Sequence, residues 1–321
     1  MPSKIIYFLL AAVFSLPTAL SLTASKVVVI TGASQGIGLA STQYLAQRGY
    51  TVCAGLRKTS SRTALEGLAQ QYPDHVMLVE IDVSDQSTID ATCKTILDRF
   101  GRIDVLVNNA CEILVGAIET QTIAEQQRTM DVNYFGPVRM IQAIAPVMRK
   151  QHSGTIINIS SVAGIEPFPH MDSYVASKFA LESLSESLAT TLSPWHINVC
   201  LIEPGAVHTQ GPANMQLGTR INDDTACFAN FNQTAFAFMR SRLLVPANEP
   251  GFSQPIEIAQ CIEQIITTEK PFVRYQVGPD APLMAAKRFV DPTGNSYVEA
   301  KKKQLTNRGF MQALQAAAER Q

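Results

Sequence analysis

The chain lacks a dense charge of either sign. Its 321 residues hold 26 Lys+Arg against 27 Asp+Glu, a formal net charge of −1, and no long basic run occurs. Nucleic-acid binding needs a concentrated positive face and is not expected. Paired cysteines are missing as well. The six stand at 53, 93, 111, 200, 227 and 261, with no CxxC and no paired spacing. Neither a disulfide framework nor a zinc site is suggested, and no metal is expected. Cys53 and Cys200 fall inside apolar runs, where a thiol packs as a small hydrophobe. Internal repeats and low-complexity tracts are absent, which removes solenoid and linker architectures.

Long hydrophobic runs are also scarce. One stands out, Ile5 to Leu22 (IIYFLLAAVFSLPTALSL), preceded by Lys4. It reads as a signal peptide or membrane anchor, the alternative being an apolar helix packed against the domain. Residues 1–25 are therefore set apart, and 26–321 are read as one domain. Apolar residues make up 46% of the chain, enough for a sizeable core.

From residue 26 short apolar runs alternate with helix-period segments, the rhythm of βαβ units. Strands are expected at Val27–Thr31, Thr51–Leu56, Val76–Ile81, Asp104–Val107, Thr155–Ile159 and Ile197–Ile202. Helices are expected at about Ile37–Arg48, from an N-cap at Ser60 to Tyr72, at Gln86–Phe100, around 123–150, and at Tyr174–Leu192. The strands (VVVI, VLVN, TIINI, INVCLI) are apolar on both faces, as in a parallel sheet covered by helices on two sides.

The first strand runs into Thr31-Gly32-Ala33-Ser34-Gln35-Gly36-Ile37-Gly38. Glycines let backbone turn tightly and approach a pyrophosphate, while the helix that follows offers free N–H groups and a positive dipole end. The expected contacts are Gly32, Ser34, Gln35, Gly36, Ile37 and Gly38. After the second strand come Arg57 and Lys58, and no carboxylate occurs in Ala54–Ser61. An NAD site would place an acid there, whereas Arg57 suits a ribose 2′-phosphate, so NADP(H) is expected.

Tyr174-Val-Ala-Ser-Lys178 puts a phenol and an ammonium one helical turn apart. A free tyrosine titrates near pH 10, and a neighbouring cation favours its phenolate. Tyr174 then serves as acid or base. The spacing alone is common on helix surfaces. Ser161, 13 residues upstream at a strand end, adds a hydroxyl able to bond a substrate oxygen.

TGASQGIG, NNAC, DVNYFG, INISSVAG, YVASK and EPGAVHT occur in this order over about residues 26–210. The chain thereby resembles the short-chain dehydrogenases/reductases, within them the branch of 17β-hydroxysteroid dehydrogenase type 1 and retinol dehydrogenases. VRMIQAIAPVM, FVRYQVGP and DPTGNSYV carry the branch resemblance. It implies an α/β, single Rossmann-like doubly wound parallel sheet, and a catalytic set of Asn133, Ser161, Tyr174 and Lys178. Asn133 would order a water beside Lys178. Asp82 and Val83 would lie near the adenine, Asn109 near the adenosine ribose, and Pro204, Gly205, Val207 and Thr209 by the nicotinamide. The family offset selects Ser161 over Ser160. Cys111 departs from the family's glycine, and Gln35 from the basic residue of many NADP enzymes.

The 206–254 stretch breaks the rhythm. Phe228, Phe231, Phe236 and Phe238 either cover a lipophilic substrate or close the fold's own core. The resemblance implies a steroid- or retinoid-like alcohol/carbonyl pair, with 3-oxoacyl thioester reduction and non-catalytic NADP(H) sensing as rival readings. It also implies a homodimer or tetramer through the helices of 123–150 and 174–192.

Overall fold

The computed structural model describes residues 25–209, 215–220, 225, 228, 232–233, 236–237 and 251–288. The apolar run 5–22 lies outside them, as do Phe231, Phe238 and much of 206–254. Among the described residues no helix is long and apolar enough to cross a membrane.

In chain order the strands are β1 (Val27–Ile30), β2 (Thr51–Leu56), β3 (Val76–Glu80), β4 (Val105–Asn108), β5 (Ile113–Val115), β6 (Gly154–Ile159), β7 (Ile197–Pro204), β8 (Met215–Leu217) and β9 (Arg274–Val277). The helices are α1 (Gly36–Gln47), α2 (Thr63–Gln71), α3 (Gln86–Phe100), α4 (Ile123–Met130), α5 (Gly136–Gln151), α6 (Asp172–Thr191), α7 (Pro255–Thr267) and α8 (Ala281–Arg288). Seven strands form one sheet in the order β3-β2-β1-β4-β6-β7-β9, and every pairing is parallel.

Strand residues alternate between two cores, as a period of two demands. Val28 and Ile30 face a cluster with Leu45 of α1, Leu65 of α2 and Ile258 and Ile262 of α7. Val27 and Val29 face the opposite cluster, with Ile89 and Ile96 of α3 and Met140, Ile144 and Met148 of α5. Each fully buried aliphatic of this kind contributes about 1.5–3 kcal/mol. The sheet is doubly wound. Its order reverses between β1 and β4, and the crevice at their carboxyl ends is where ligands of such folds sit.

The expected strands and helices appear with small shifts at their ends, α3 with its expected bounds. Asp85 caps that helix by accepting from Ser87 N at 2.9 Å, and Gly101 ends it at φ 68°. Ser60 is not the cap of α2, which begins behind Arg62 with no side-chain cap. Its N–H donates to Arg57 O at 2.9 Å in a turn that closes β2 instead. The helical stretch 123–150 is broken by a π turn, Asp131–Phe135. A two-stranded parallel sheet of β5 and β8 was not expected. It ties the stretch after Thr209 back onto the segment following β4.

Candidate active site

The glycine turn is built by close approach. A Cβ on Gly32 would lie 2.9 Å from Ala110 Cα, and Gly32 itself has φ +64°. A Cβ on Gly38 would meet Gly32 O, Asn109 Nδ2 at 2.7 Å and Ala33 Cα at 2.8 Å. Backbone must pass at these distances for α1 to start directly over β1. Thr31 Oγ1 accepts from the N–H groups of Asn109 and Ala110, both at 3.0 Å. Asn109 Nδ2 donates to Thr31 O and Gly32 O at 2.9 and 3.1 Å. Asn109, expected near a ribose, thus holds the glycine turn to the end of β4 through its amide nitrogen. Gly36 has φ +53°, and its missing Cβ would stand 3.2 Å from Thr209 Cγ2. Thr209 is thereby brought against the turn, in a cradle that any side chain at residue 36 would fill. Such a cradle at a helix N-terminus fits a pyrophosphate.

The remaining expected cofactor residues ring this crevice. Ser34 and Ile37 are half-buried beside the turn, and Gln35 is exposed. Arg57 is exposed beyond the end of β2 and has no ion-pair partner among the described residues. Asp82 Oδ1 accepts from Ser84 N at 2.9 Å, and Val83 is buried against Gly136. Arg139 joins Val83 O (3.1 Å) to Asp131 (2.6 Å), linking this loop to the π turn. Pro204 ends β7, Gly205 N donates to Val277 O at 2.9 Å, and buried Val207 bridges to Ser253.

Tyr174 and Lys178 stand one turn apart near the start of α6, both buried. Lys178 Nζ lies 5.7 Å from the Tyr174 ring centroid and donates to Ile159 O at 2.9 Å. Ser161 follows β6 in extended conformation and caps a short turn by accepting from Ala163 N at 3.1 Å. Burial pushes the Tyr174 phenol well above its ordinary value, a charge on Cys111 would push it further, and a bond with the Ser161 hydroxyl opposes both. The lysine was expected to favour the phenolate; burial pushes the phenol the other way, and the Lys178 ammonium is turned to Ile159 O. Cys111 adopts no left-handed backbone, so the family's glycine is replaced without strain.

Asn133 lies in the π turn and is 1% exposed. Its Oδ1 accepts from Glu112 N at 2.9 Å, and Nδ2 donates to Glu112 O at 2.8 Å and to Ser177 Oγ at 3.0 Å. Ser177 Oγ donates to Tyr174 O at 2.6 Å. Asn133 is therefore chained to the tyrosine's own helical turn. Glu112 is anchored by Arg128 Nε, 3.0 Å from both carboxylate oxygens. Sequence reasoning missed Ser177 and Glu112, although Ser177 lies inside YVASK and Glu112 directly follows NNAC.

The structure thus brings Asn133, Ser161, Tyr174 and Lys178 into one neighbourhood at the carboxyl ends of β4 and β6. The irregular stretch reaches the same side: Asn232 Oδ1 accepts from Ala117 N at 2.9 Å and Nδ2 donates to Thr120 Oγ1 at 2.7 Å. Phe228 and Phe236 are half-buried.

The family described as short chain dehydrogenase matches residues 26–218. The chain is 34% identical to a 3-ketodihydrosphingosine reductase of Bacteroides thetaiotaomicron, over 82% of this chain and 91% of that one. It is 32% identical to human retinol dehydrogenase 8, over 86% and 88% of the two chains. With estradiol 17-beta-dehydrogenase 1 of Rattus norvegicus it shares 34% identity over 86% and 80%. The chain belongs to the short chain dehydrogenase family, oxidoreductases that act on CH–OH groups with nicotinamide cofactors, in the branch of the steroid and retinol dehydrogenases.

Proposed function

We propose that this chain is an NADP(H)-dependent oxidoreductase that interconverts a carbonyl and an alcohol on a lipophilic, steroid- or retinoid-like substrate. The observation that carries the reading is the placement of the buried Tyr174 phenol beside Ser161 with Lys178 one turn behind, where burial favours the neutral phenol. A protonated phenol is what carbonyl reduction needs, because the nascent alkoxide must receive a proton. Tyr174 donates it, Ser161 bonds the substrate oxygen, and Lys178 returns to the tyrosine a proton taken from a water that Asn133 would help to order. A bound nicotinamide supplies the hydride. Gly32, Ser34, Gln35, Gly36, Ile37 and Gly38 would hold the pyrophosphate, and Asp82, Val83 and Asn109 would line the adenosine side. Pro204, Gly205, Val207 and Thr209 would flank the nicotinamide. Exposed Arg57, with no carboxylate in Ala54–Ser61 and no ion-pair partner among the described residues, supports the 2′-phosphate and hence NADP(H).

Residues 26–321 act as one unit in this reading, with 206–254 covering the substrate; the anchoring of Asn232 beside β5 supports that placement. The apolar run 5–22 would hold such an enzyme at a membrane, where lipophilic substrates partition. Exposed Ile123 and Phe135, 68% and 47% accessible, support a homo-oligomer through the α4–α6 face.

A second reading is favoured by the Bacteroides relative, a reductase of a long-chain 3-keto base by name. Following NADPH absorbance across ketosteroids, retinals, long-chain 3-keto amino alcohols and 3-oxoacyl thioesters separates these. Turnover of a steroid or retinal supports the first reading, the keto amino alcohol alone selects the second, and thioesters alone overturn both. No turnover of any carbonyl with cofactor bound would leave a sensor.

A further inference from the structure

Behind the tyrosine–lysine pair lies a buried cluster of charge that the chemistry above does not use. Tyr174, Lys178, Glu182 and Glu186 recur every four residues along α6 and share one stripe of it. Glu182 is 4% exposed, and Glu203, at the end of β7 just before Pro204 and Gly205, is 0% exposed. Each puts one carboxylate oxygen on Arg274 Nη1, from the edge strand β9. Gln276 Nε2 donates to the other oxygen of Glu203 at 2.6 Å. Glu186, at the exposed rim, accepts from Arg274 Nε and lies against Nη2, at 3.0 and 2.9 Å.

Two buried atoms of this region have no hydrogen-bond partner among the described residues, Glu182 Oε1 and Ser160 Oγ. They meet over Gly164, where a Cβ would lie 2.7 Å from Ser160 Oγ and 2.9 Å from Glu182 Oε1. Two buried carboxylates here share one guanidinium. Full ionisation would leave a negative charge out of water without a partner, and one proton removes it. Both oxygens of Glu203 are already engaged by donors, so the proton belongs on Glu182 Oε1.

We propose that Glu182 is a positioning residue: as an acid it donates to Ser160 and as a carboxylate it accepts from it, so that its proton sets the sense of the bond at the strand end from which Ser161 faces Tyr174, while Arg274 and Glu203 fix its place. This rests on the reductase reading of the site. The groups facing Glu182 are Glu203 from β7, Arg274 from β9, Ser160 from the end of β6, and Lys178 and Glu186 on its own helix. Lys178 is turned to Ile159 O and does not pair with it. Burial, then the charge of Glu203, raise the Glu182 carboxyl to about 7, against a bond from the Ser160 hydroxyl to the carboxylate and the charge of Arg274. Its proton is therefore lost as pH rises through neutrality, and the hold on Ser160 changes with it.

The test compares wild type, Glu182→Gln and Glu182→Leu in kcat and KM against pH, in cofactor Kd by fluorescence, and in melting temperature without substrate. Glutamine donates at every pH and leucine at none. Wild-type kcat should fall by about tenfold as pH rises through 7, a loss of about 1.4 kcal/mol in transition-state stabilisation. Glu182→Gln should lack that fall and rescue most of what Glu182→Leu loses, with cofactor Kd unchanged in both. The folded carboxyl keeps its proton above the ordinary 4.5, so wild-type stability should fall with pH between 4.5 and about 7. Glu182→Gln should not show that slope. Equal pH dependence of wild type and Glu182→Gln overturns the proposal, and so does equal activity of the glutamine and leucine variants. If the leucine variant fails to fold, the glutamine comparison decides alone. Tyr174→Phe, run in parallel, tests the acid/base reading separately, because the melting slope of Glu182 needs no turnover.

Discussion

Asn133 closes its side-chain amide on the backbone of Glu112, accepting from its N–H at 2.9 Å and donating to its C=O at 2.8 Å. This clasp joins the chain after β4 to the π turn, and Ser177 carries it onward to the tyrosine's turn of α6. Asn133 is thereby tied, through Ser177, to the carbonyl of Tyr174. Asn133→Ala would leave the buried N–H of Glu112 without a partner and its C=O with the weak Cys111 thiol donor at 3.7 Å, at about 1–3 kcal/mol for an orphaned group. Urea unfolding should show a loss of that size, together with a fall in kcat greater than any change in cofactor Kd.

Tyr174→Phe removes the phenolic oxygen proposed as the acid and little volume. Turnover should fall by about 10²–10⁴-fold, the contribution of a positioned acid or base. Cofactor Kd by fluorescence titration should stay within a few-fold of wild type. Retained turnover would remove the tyrosine from the chemistry.

Arg57→Ala addresses the cofactor phosphate. A hydrogen bond to a charged group contributes about 1.5–3 kcal/mol, so kcat/KM for NADPH should drop at least tenfold while that for NADH barely moves. An unchanged ratio of the two would sink the assignment.

Gly38→Ala drives a methyl into Gly32 O, with Asn109 Nδ2 2.7 Å away. These neighbours are backbone and a fixed amide, which cannot yield as a flexible side chain would. A loss of about 1–3 kcal/mol in urea unfolding is expected, with weakened cofactor binding.

His170 has left-handed backbone at φ 65°, and burial pushes its imidazole down to about 4. Between that value and the ordinary 6.5 the unfolded chain binds more protons than the folded one. The stability tied to a neutral His170 is present above 6.5 and lost as pH falls toward 4. Asparagine tolerates this backbone, so melting temperatures of His170→Asn should flatten across that range, opposite in sign to the slope ascribed to Glu182.

Much of the fold was legible because a doubly covered parallel sheet writes itself as apolar runs at regular intervals. Val27–Ile30 and Ile197–Ile202 are of that kind, and the glycine turn is short-range. Strand β9 was not legible: Arg-Tyr-Gln-Val is an edge strand with half-buried residues, and its polar side chains serve charges elsewhere. Strands β5 and β8 are three residues each, too short for any period. The π turn is equally silent, since Asp131–Phe135 continues a helical pattern and differs only in its hydrogen bonding. The pairs that stiffen the site, Glu112 with Asn133 or Glu203 with Arg274, lie 21 and 71 residues apart, and nothing local announces them.

The edge position of β9 sets an order of events in the making of this protein. Glu182 and Glu203 leave the ribosome well before Arg274, and no other cation reaches them among the described residues. Until residue 274 docks, two carboxylates destined for the interior must stay hydrated or bind protons, because burying them unpaired costs several kcal/mol each. Closing the catalytic half before residue 274 arrives therefore carries that cost. Strand β9 acts as the bolt, and a synthesis product that stops short of it should expose the unfinished core to proteases.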